Sequence, residues 1–220
     1  DDKIVEYKFK RKDRLVDMKV FAFMDTLASD VPAPGGGSTA ALCGALAASL
    51  VSMVSNLTHG KNEYKEVWDE IEAAGVKGQE FKDWYLAAID RDTEAFNAVM
   101  DSMRLPKSTD EQKTVRSKAM QDANKHASIV PLEMLEKTLE VVTLLKITAE
   151  KGNPNSVSDA GVGAHCLSAC AEGAALNVRI NMSAIKDKAF TQDCLQRVDK
   201  ALAELKPLIR EVIEIVNSKL

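Results

Sequence analysis

Apolar residues recur every three or four positions along most of the chain, which is the spacing that places side chains on one face of an α-helix. The C-terminal stretch shows this most clearly, because seven apolar residues between Leu195 and Val216 form a single stripe. Val20, Phe23 and Leu27 repeat the pattern near the N-terminus. No long stretch alternates apolar and polar residues as a half-buried β-strand does. The pattern predicts an all-α protein, a bundle of about five to six helices that includes long, kinked ones.

Capping residues and prolines predict where these helices begin, bend and end. Helices are expected over residues 16–28, 39–57, 63–103, 108–148, 156–180 and 188–217. Ser38 is the expected N-cap of the second helix, and Ser108 with Glu111 has the spacing of a capping box before the fourth. Pro131 should kink the fourth helix and Pro207 should bend or break the sixth, because each proline ring removes a backbone hydrogen bond.

Two predicted helices are rich in small residues. The second has Gly44, Ala48 and Ser52 four positions apart, and the fifth is rich in glycine and alanine. Such rows let another helix approach closely, so we expect these two helices to pack together. Residues 31–58 carry no charge and are long enough to raise the question of a membrane span. Their proline-glycine start and their small residues favour a helix buried in protein instead.

The composition narrows the class of protein. With 220 residues, of which 45% are hydrophobic and 5% aromatic, the chain suits one domain with an aliphatic core. We assign residues 1–14 to a linker or N-terminal arm and residues 15–220 to the helical domain. A net charge of −4 argues against non-specific binding to nucleic acid. The four cysteines form no CxxC pair and predict free thiols, so we expect a cytoplasmic protein without a metal site or a membrane span.

The segment from Val31 to Ser38 reads Val-Pro-Ala-Pro-Gly-Gly-Gly-Ser and leads into the second helix. Its two prolines disfavour helix before Gly35, and its three glycines let another group approach the backbone closely. A bare loop at a helix N-terminus presents free N–H groups to an anion or a polar acceptor. The alternative is a tight loop that only precedes a buried helix.

Asp92 interrupts an apolar stripe on the third predicted helix. The stripe consists of Tyr85, Ile89, Asp92, Phe96, Val99 and Met103. A carboxylate on such a face is desolvated, which raises its pKa unless a cation or hydrogen bonds compensate. A carboxyl group that stays protonated near neutral pH can act as a general acid. The alternative is a structural carboxylate that caps another helix or pairs with an arginine.

Five segments of the chain, in order, resemble the cyclodeaminase/cyclohydrolase family of folate enzymes. They are PAPGGGS at residues 32–38, DRDTEAF at 90–96, MRLPK at 103–107, GNPNSVSDAG at 152–161 and AALNVRIN at 174–181. Members of this family stand alone in bacteria and are fused behind a formiminotransferase in animals and some bacteria. The resemblance implies a folate enzyme, either free-standing or a fragment of a bifunctional protein.

The resemblance implies a cyclodeaminase, which converts 5-formiminotetrahydrofolate to 5,10-methenyltetrahydrofolate and ammonia. Asp92 matches the proposed proton donor of the family. A methenyltetrahydrofolate cyclohydrolase is the alternative within the family, and a non-catalytic helical assembly module is the alternative outside it. The resemblance implies no metal and no cofactor beyond the tetrahydrofolate derivative that is the substrate.

Several residues are candidate contacts for this substrate. They are Gly35, Gly36, Gly37, Ser38, Lys61, Asp159, Asn177 and Arg179. The glycines would admit the flat pterin close to backbone N–H groups. Asp159 either accepts hydrogen bonds from the pterin or closes a helix start in a capping-box pattern. Arg179 either binds the glutamate tail or complements a helix C-terminus, and Lys61 is either a tail contact or plain surface.

The resemblance also implies a homodimer or a higher homo-oligomer with the folate site near the subunit interface. Flat surfaces of small residues bury well against a second copy, and two-fold pairing is the commonest solution. The expected partners are a folate, with or without a polyglutamate tail, and a formiminotransferase, either fused or separate. No nucleic acid or membrane partner is expected.

Overall fold

Six α-helices joined by short connections make up residues 14–220, the part of the chain that the computed structural model describes. They are α1 (Val20–Leu27), α2 (Gly36–Thr58), α3 (Trp68–Arg104), α4 (Asp110–Lys151), α5 (Val157–Asn181) and α6 (Lys188–Asn217). Short 3₁₀ turns lie at Leu15–Asp17, Asn62–Val67, Pro154–Ser156 and Met182–Ala184. No β-strand occurs in these residues, and the prediction of an all-α bundle is confirmed. The predicted N-terminal arm lies outside the described residues, apart from Arg14.

α2 lies at the centre of the bundle, where it packs against α3, α4 and α5. Ala47, Ala48 and Val51 on its inward side are completely buried. Its neighbours come close because α2 carries so few large side chains there. A Cβ atom added to Gly44 would lie only 2.5 Å from the ring of Tyr85 on α3. The predicted pairing of α2 with α5 is confirmed.

By length and composition, α2 is also the one helix within residues 14–220 that is apolar enough to cross a membrane. In its most apolar window, 56% of the helix is buried inside the protein. Its packing between α3 and α5 accounts for this apolar composition.

α2 and α5 run antiparallel, which gives the bundle two distinct ends. At the first, here called the loop end, a Cβ atom added to Gly36 would lie 3.6 Å from the amide nitrogen of Asn177 on α5. At the second, the far end, the Thr58 hydroxyl accepts a hydrogen bond of 2.8 Å from the backbone N–H of Asn153. Residues near the start of α5 therefore lie at the end of the bundle opposite to the glycine loop.

Both helix-internal prolines leave their helices continuous. α4 runs through Pro131 and α6 runs through Pro207, so neither proline breaks its helix. The ring of Pro131 removes the hydrogen bond that the Ala127 carbonyl would otherwise accept. The Asn181 side-chain amide donates to that carbonyl at 2.9 Å, so the end of α5 supplies the missing partner.

Two predicted helix starts are wrong by a few residues. α2 begins at Gly36 with Gly35 as its N-cap, so Ser38 lies inside the first turn. The capping box of α4 is made by Thr109 and Gln112, one position after the predicted pair. The predicted Ser156–Asp159 cap also fails, because the Ser156 hydroxyl donates to the Asn153 carbonyl instead.

The first helix is shorter than predicted, because residues 15–17 form a separate 3₁₀ turn. Phe23 packs into the core as expected. Val20 is 76% exposed and Phe21 is 77% exposed, so the apolar residues of α1 are only partly buried within one chain.

The close contact of α2 with α3 predicts that a side chain at Gly44 lowers the stability of the protein. Replacing a glycine inside a helix by alanine ordinarily stabilises the helix by up to about 1 kcal/mol. Here the added methyl group would collide with the Tyr85 ring, whose hydroxyl is held by the Met134 carbonyl at 2.8 Å. We expect Gly44→Ala to lower the free energy of unfolding by about 1–3 kcal/mol, measured by urea titration.

The matched control is Gly161→Ala, whose methyl group would meet only the side chain of Val216, at 3.1 Å. It should cost clearly less than Gly44→Ala. Equal stabilities for the two variants would contradict the packing described here.

Candidate functional site

The Asp92 carboxyl group on α3 is held by the first turn of α2. The Ser38 hydroxyl donates a hydrogen bond of 2.9 Å to Asp92 Oδ2. The same hydroxyl oxygen lies 3.2 Å from the Thr93 hydroxyl and 3.3 Å from the Ile89 carbonyl. Ser38 is completely buried, so its hydroxyl serves these neighbours rather than solvent.

Gly37 allows this arrangement because it has no side chain. A Cβ atom at this position would lie 2.1 Å from Asp92 Oδ1 and 2.5 Å from the carboxyl carbon. No other residue fits there without moving the carboxyl group. Gly37 must therefore be a glycine, because the Asp92 carboxyl group lies so close to the backbone at this position.

The environment of Asp92 raises the pKa of its carboxyl group. The main cause is desolvation by the surrounding protein, while the Ser38 hydroxyl and backbone N–H act in the opposite direction. The prediction of a desolvated carboxyl group on the apolar stripe is confirmed. Arg91, the arginine next to it in sequence, instead pairs with Glu133 at 3.0 Å and stacks on the Trp84 ring. Such a carboxyl group holds its proton to higher pH than an ordinary aspartate.

A groove of about 480 Å³ runs along the other side of the start of α2. It is lined by Leu27, Val31, Pro32, Pro34, Gly35, Gly36, Thr39, Ala40, Cys43, Ala169 and Gly173. Gly36 is exposed and lines the groove, next in sequence to Gly37, which lies against Asp92. The Asn177 side chain stands beside Gly36 and donates to the Gly173 carbonyl at 2.8 Å. The loop end thus brings together Gly35, Gly36, Gly37, Ser38, Asp92 and Asn177.

Three other candidate residues lie apart from this cluster. Arg179 is on the surface and pairs with Asp199 at 3.0 Å. Asp159 is near the start of α5, 18 positions before Asn177, which is about 27 Å along a helix. Lys61 follows the C-terminus of α2 and is exposed at the far end. Within one chain, Asp159 and Lys61 do not reach Asp92.

The structure adds Thr93 to the site, a residue that the sequence patterns do not single out. Its hydroxyl group touches Ser38, which is 55 positions away in sequence. Thr93 lies directly after Asp92 and four positions after Ile89, so one helical turn places all three beside α2. The only sequence signal was its position inside the Asp-Arg-Asp-Thr-Glu segment.

No metal-binding cluster accompanies the site, since no group of three or more His, Cys, Asp or Glu side chains within residues 14–220 can hold a metal ion. The four cysteines are free thiols, as predicted. Burial raises the pKa of the Cys170 thiol to about 12. These thiols are therefore protonated and weakly nucleophilic at neutral pH.

Fold and site together define a class, an all-helical protein that presents a desolvated carboxyl group against a glycine loop. Comparison with known proteins makes this specific. The formiminotransferase-cyclodeaminase family model matches residues 19–200, and the chain belongs to that family.

Individual relatives differ in the activity that they are named for. A methenyltetrahydrofolate cyclohydrolase from Methylorubrum extorquens is 44% identical over 197 residues, which cover 90% of this chain and 95% of that protein. The formimidoyltransferase-cyclodeaminase of Gallus gallus is 35% identical over 93% of this chain, which spans only 38% of the relative. A crystal structure of a formiminotetrahydrofolate cyclodeaminase from Thermotoga maritima superposes with a TM-score of 0.82 at 27% identity, covering 92% of this chain and 97% of that one.

The raised pKa of Asp92 predicts how stability depends on pH. The folded protein holds this proton at pH values where the unfolded chain has lost it, so folding becomes less favourable as pH rises through that window. Asn has the same shape and does not titrate. We expect Asp92→Asn to be more stable than the wild type at about pH 8, with the difference vanishing toward about pH 4.

Urea unfolding at several pH values checks this expectation. Asp101→Asn, on an exposed face of the same helix, is the control and should change stability by less than about 0.5 kcal/mol throughout. A pH-independent difference between Asp92→Asn and the wild type would contradict a desolvated Asp92.

Proposed function

We propose that this protein is a folate enzyme that acts as a methenyltetrahydrofolate cyclohydrolase. The observation that carries the choice is the 44% identity to the Methylorubrum extorquens cyclohydrolase over nearly the full length of both chains. This reverses the order in which the resemblance placed the two reactions. The Asp92 site supports an enzyme over a helical assembly module, because an assembly role requires no desolvated carboxyl group beside a glycine loop.

The cyclohydrolase reaction adds water to the carbon that bridges N5 and N10 of 5,10-methenyltetrahydrofolate. The water oxygen bonds to this carbon and gives up both of its protons, the first to N5 as the bond from the carbon to N5 breaks, and the second to solvent as the oxygen becomes the formyl oxygen. The products are 10-formyltetrahydrofolate and one proton released to solvent. Asp92 accepts the proton of the attacking water and returns it to N5. A carboxyl group with a raised pKa suits both steps, because it is a stronger base than an ordinary aspartate.

A formiminotetrahydrofolate cyclodeaminase is the second candidate, supported by the 0.82 TM-score to the Thermotoga maritima protein. In that reaction N10 attacks the formimino carbon of 5-formiminotetrahydrofolate, and ammonia leaves. Asp92 would take the proton from N10 and give it to the departing nitrogen. The two reactions pass through a tetrahedral carbon at the same place in the substrate, so one carboxyl group serves either.

The glycine loop is the proposed binding site of the pterin ring. A substrate in the groove would lie against the exposed Gly36, next in sequence to the Gly37 that contacts Asp92. The N–H groups of Gly36 and Gly37 precede the first helical hydrogen bond, which Thr39 donates to Gly35. They are placed to donate to pterin acceptors, and the Asn177 amide is a second polar contact beside them.

The test of this function compares the two substrates on the purified chain and on Asp92→Asn. We expect turnover of 5,10-methenyltetrahydrofolate to exceed that of 5-formiminotetrahydrofolate. Asp92→Asn should lower kcat by about a hundredfold, the usual scale for losing a general acid–base group. Asp101→Asn is the matched control and should keep wild-type kcat.

The outcomes separate the candidates. Faster turnover of the formimino substrate would establish the cyclodeaminase instead. Wild-type rates in a folded Asp92→Asn protein would remove Asp92 from the chemistry. Failure to bind either folate would favour the assembly module.

We also propose that the protein is a homodimer formed through the outer face of α2 and α5. This outer face carries Leu46, Met53, Val162, Leu176 and Ile180, each at least 45% exposed. These residues lie on two adjacent helices, and exposed apolar area of this kind marks an interaction surface. A two-fold axis that crosses the helices would also set the far end of one protomer, with Asp159 and Lys61, beside the loop end of its partner.

The dimer is tested by sedimentation equilibrium at micromolar concentration. We expect the wild type to have twice the mass of one chain and Leu176→Glu to shift the equilibrium toward monomer, because a charge buried in an apolar interface costs several kcal/mol. Val115→Glu changes an exposed valine on α4, away from the outer face, and should remain dimeric. A monomeric wild type with full activity would contradict the proposal.

A further inference from the structure

The Ser38 hydroxyl has more neighbours than it can donate to. Its oxygen lies near Asp92 Oδ2, the Thr93 hydroxyl and the Ile89 carbonyl, at 2.9, 3.2 and 3.3 Å. A hydroxyl group has one proton to donate and two lone pairs to accept with. Because Ser38 is completely buried, water does not share in this set. The direction of its proton must therefore be fixed by the neighbours themselves.

Thr93 resolves this choice. The Ile89 carbonyl can only accept, and so can an ionised Asp92, whereas the Thr93 hydroxyl can donate. If Thr93 donates to Ser38, then Ser38 keeps its own proton for one of the two acceptors. The shorter distance and the greater charge both favour Asp92 over the carbonyl.

We propose that Thr93 is a positioning residue, the outer member of a directed chain in which Thr93 donates to Ser38 and Ser38 donates to Asp92 Oδ2. This proposal rests on the proposed function, in which Asp92 exchanges a proton with the substrate. With Oδ2 occupied by the chain, the exchanged proton is carried on Oδ1. That oxygen is the one nearest the position that a Cβ atom on Gly37 would occupy, at the start of α2.

Among residues 14–220, the hydrogen bonds from Thr93 and Ser38 act on the Asp92 carboxyl group without a charged side chain bonded to it. Ser38 and Gly37 face the carboxyl group from α2, and both are uncharged. Arg91 on the same helix is engaged by Glu133 on α4, and Asp90 accepts from the backbone N–H of Leu15. The donated hydrogen bond favours the ionised form of Asp92 and lowers its pKa, against the larger effect of burial. Loss of the Thr93 donor should weaken this hydrogen bond and raise the pKa further.

The experiment replaces the Thr93 hydroxyl group while keeping the shape of the side chain. Thr93→Val should raise the pKa of Asp92, seen in the pH titration of its carboxyl carbon by NMR. The acid limb of the kcat profile for 5,10-methenyltetrahydrofolate should move to higher pH in the same direction. At neutral pH kcat should fall about fivefold to tenfold, the scale of one hydrogen bond, with KM nearly unchanged.

Two further variants separate positioning from mere packing. Thr93→Ser restores the hydroxyl group and should return both the titration and the profile toward the wild type. Thr114→Val removes an exposed threonine hydroxyl on α4, which donates to the Asp110 carbonyl, and should change neither the titration nor the profile. An Asp92 titration that is the same in Thr93→Val and the wild type would overturn the proposal, whatever happens to stability.

The NMR titration needs no substrate, so the proposal can fail independently of the proposed function. If neither folate is turned over but Thr93→Val still shifts the titration of Asp92, the chain of hydroxyl groups stands and the reaction is misassigned. If Asp92→Asn abolishes turnover while Thr93→Val leaves the titration unmoved, the reaction stands and the role of Thr93 is wrong.

Discussion

The site depends on how closely α3 can approach α2. Gly37, Ser38 and Gly44 of α2 carry only hydrogen or hydroxymethyl side chains, and this lets a tyrosine ring lie against Gly44 and a carboxyl group against Gly37. Because Asp92 lies directly on the backbone, it loses most of its water and keeps only the donors that the first turn of α2 supplies. The proton affinity of the carboxyl group follows from the distance between two helices.

The hydrogen-bond partners of Asp92 are neutral, which is consistent with a pKa that is raised by burial. A cation in contact would stabilise the carboxylate and draw the pKa down by one to three units, which would make it a poor proton acceptor. One serine hydroxyl and one backbone N–H restrain the group without fixing its charge. Burial raises the pKa of the carboxyl group, and the hydrogen bonds make this rise smaller. Such a balance suits a group that must take up a proton and return it within one reaction.

The helical pattern predicts much of this arrangement, and the reasons for the misses are physical. The stripe that contains Asp92 predicts a desolvated carboxyl group, because helical spacing alone places it on an apolar face. Ser38 is misassigned as an N-cap because its hydroxyl group bonds to a residue 54 positions away, and local propensity contains no such information. The same limit hides Thr93. Asp159, in one of the family-like segments, and Lys61, a candidate tail contact, lie at the far end, because the antiparallel course of α2 and α5 is a property of the whole bundle.

The bond between Asn181 and the Ala127 carbonyl has a consequence for how the sequence can drift over evolutionary time. Pro131 and Asn181 are 50 positions apart, yet the proline removes the helical partner of a carbonyl to which the asparagine side chain donates. An asparagine acquired first would be nearly neutral, since the carbonyl would still have its helical partner. A proline acquired first would leave a polar group without one. Substitutions at the two positions therefore have a preferred order: the asparagine is gained before the proline. The asparagine can be replaced without leaving the Ala127 carbonyl unpaired only after the proline has been replaced.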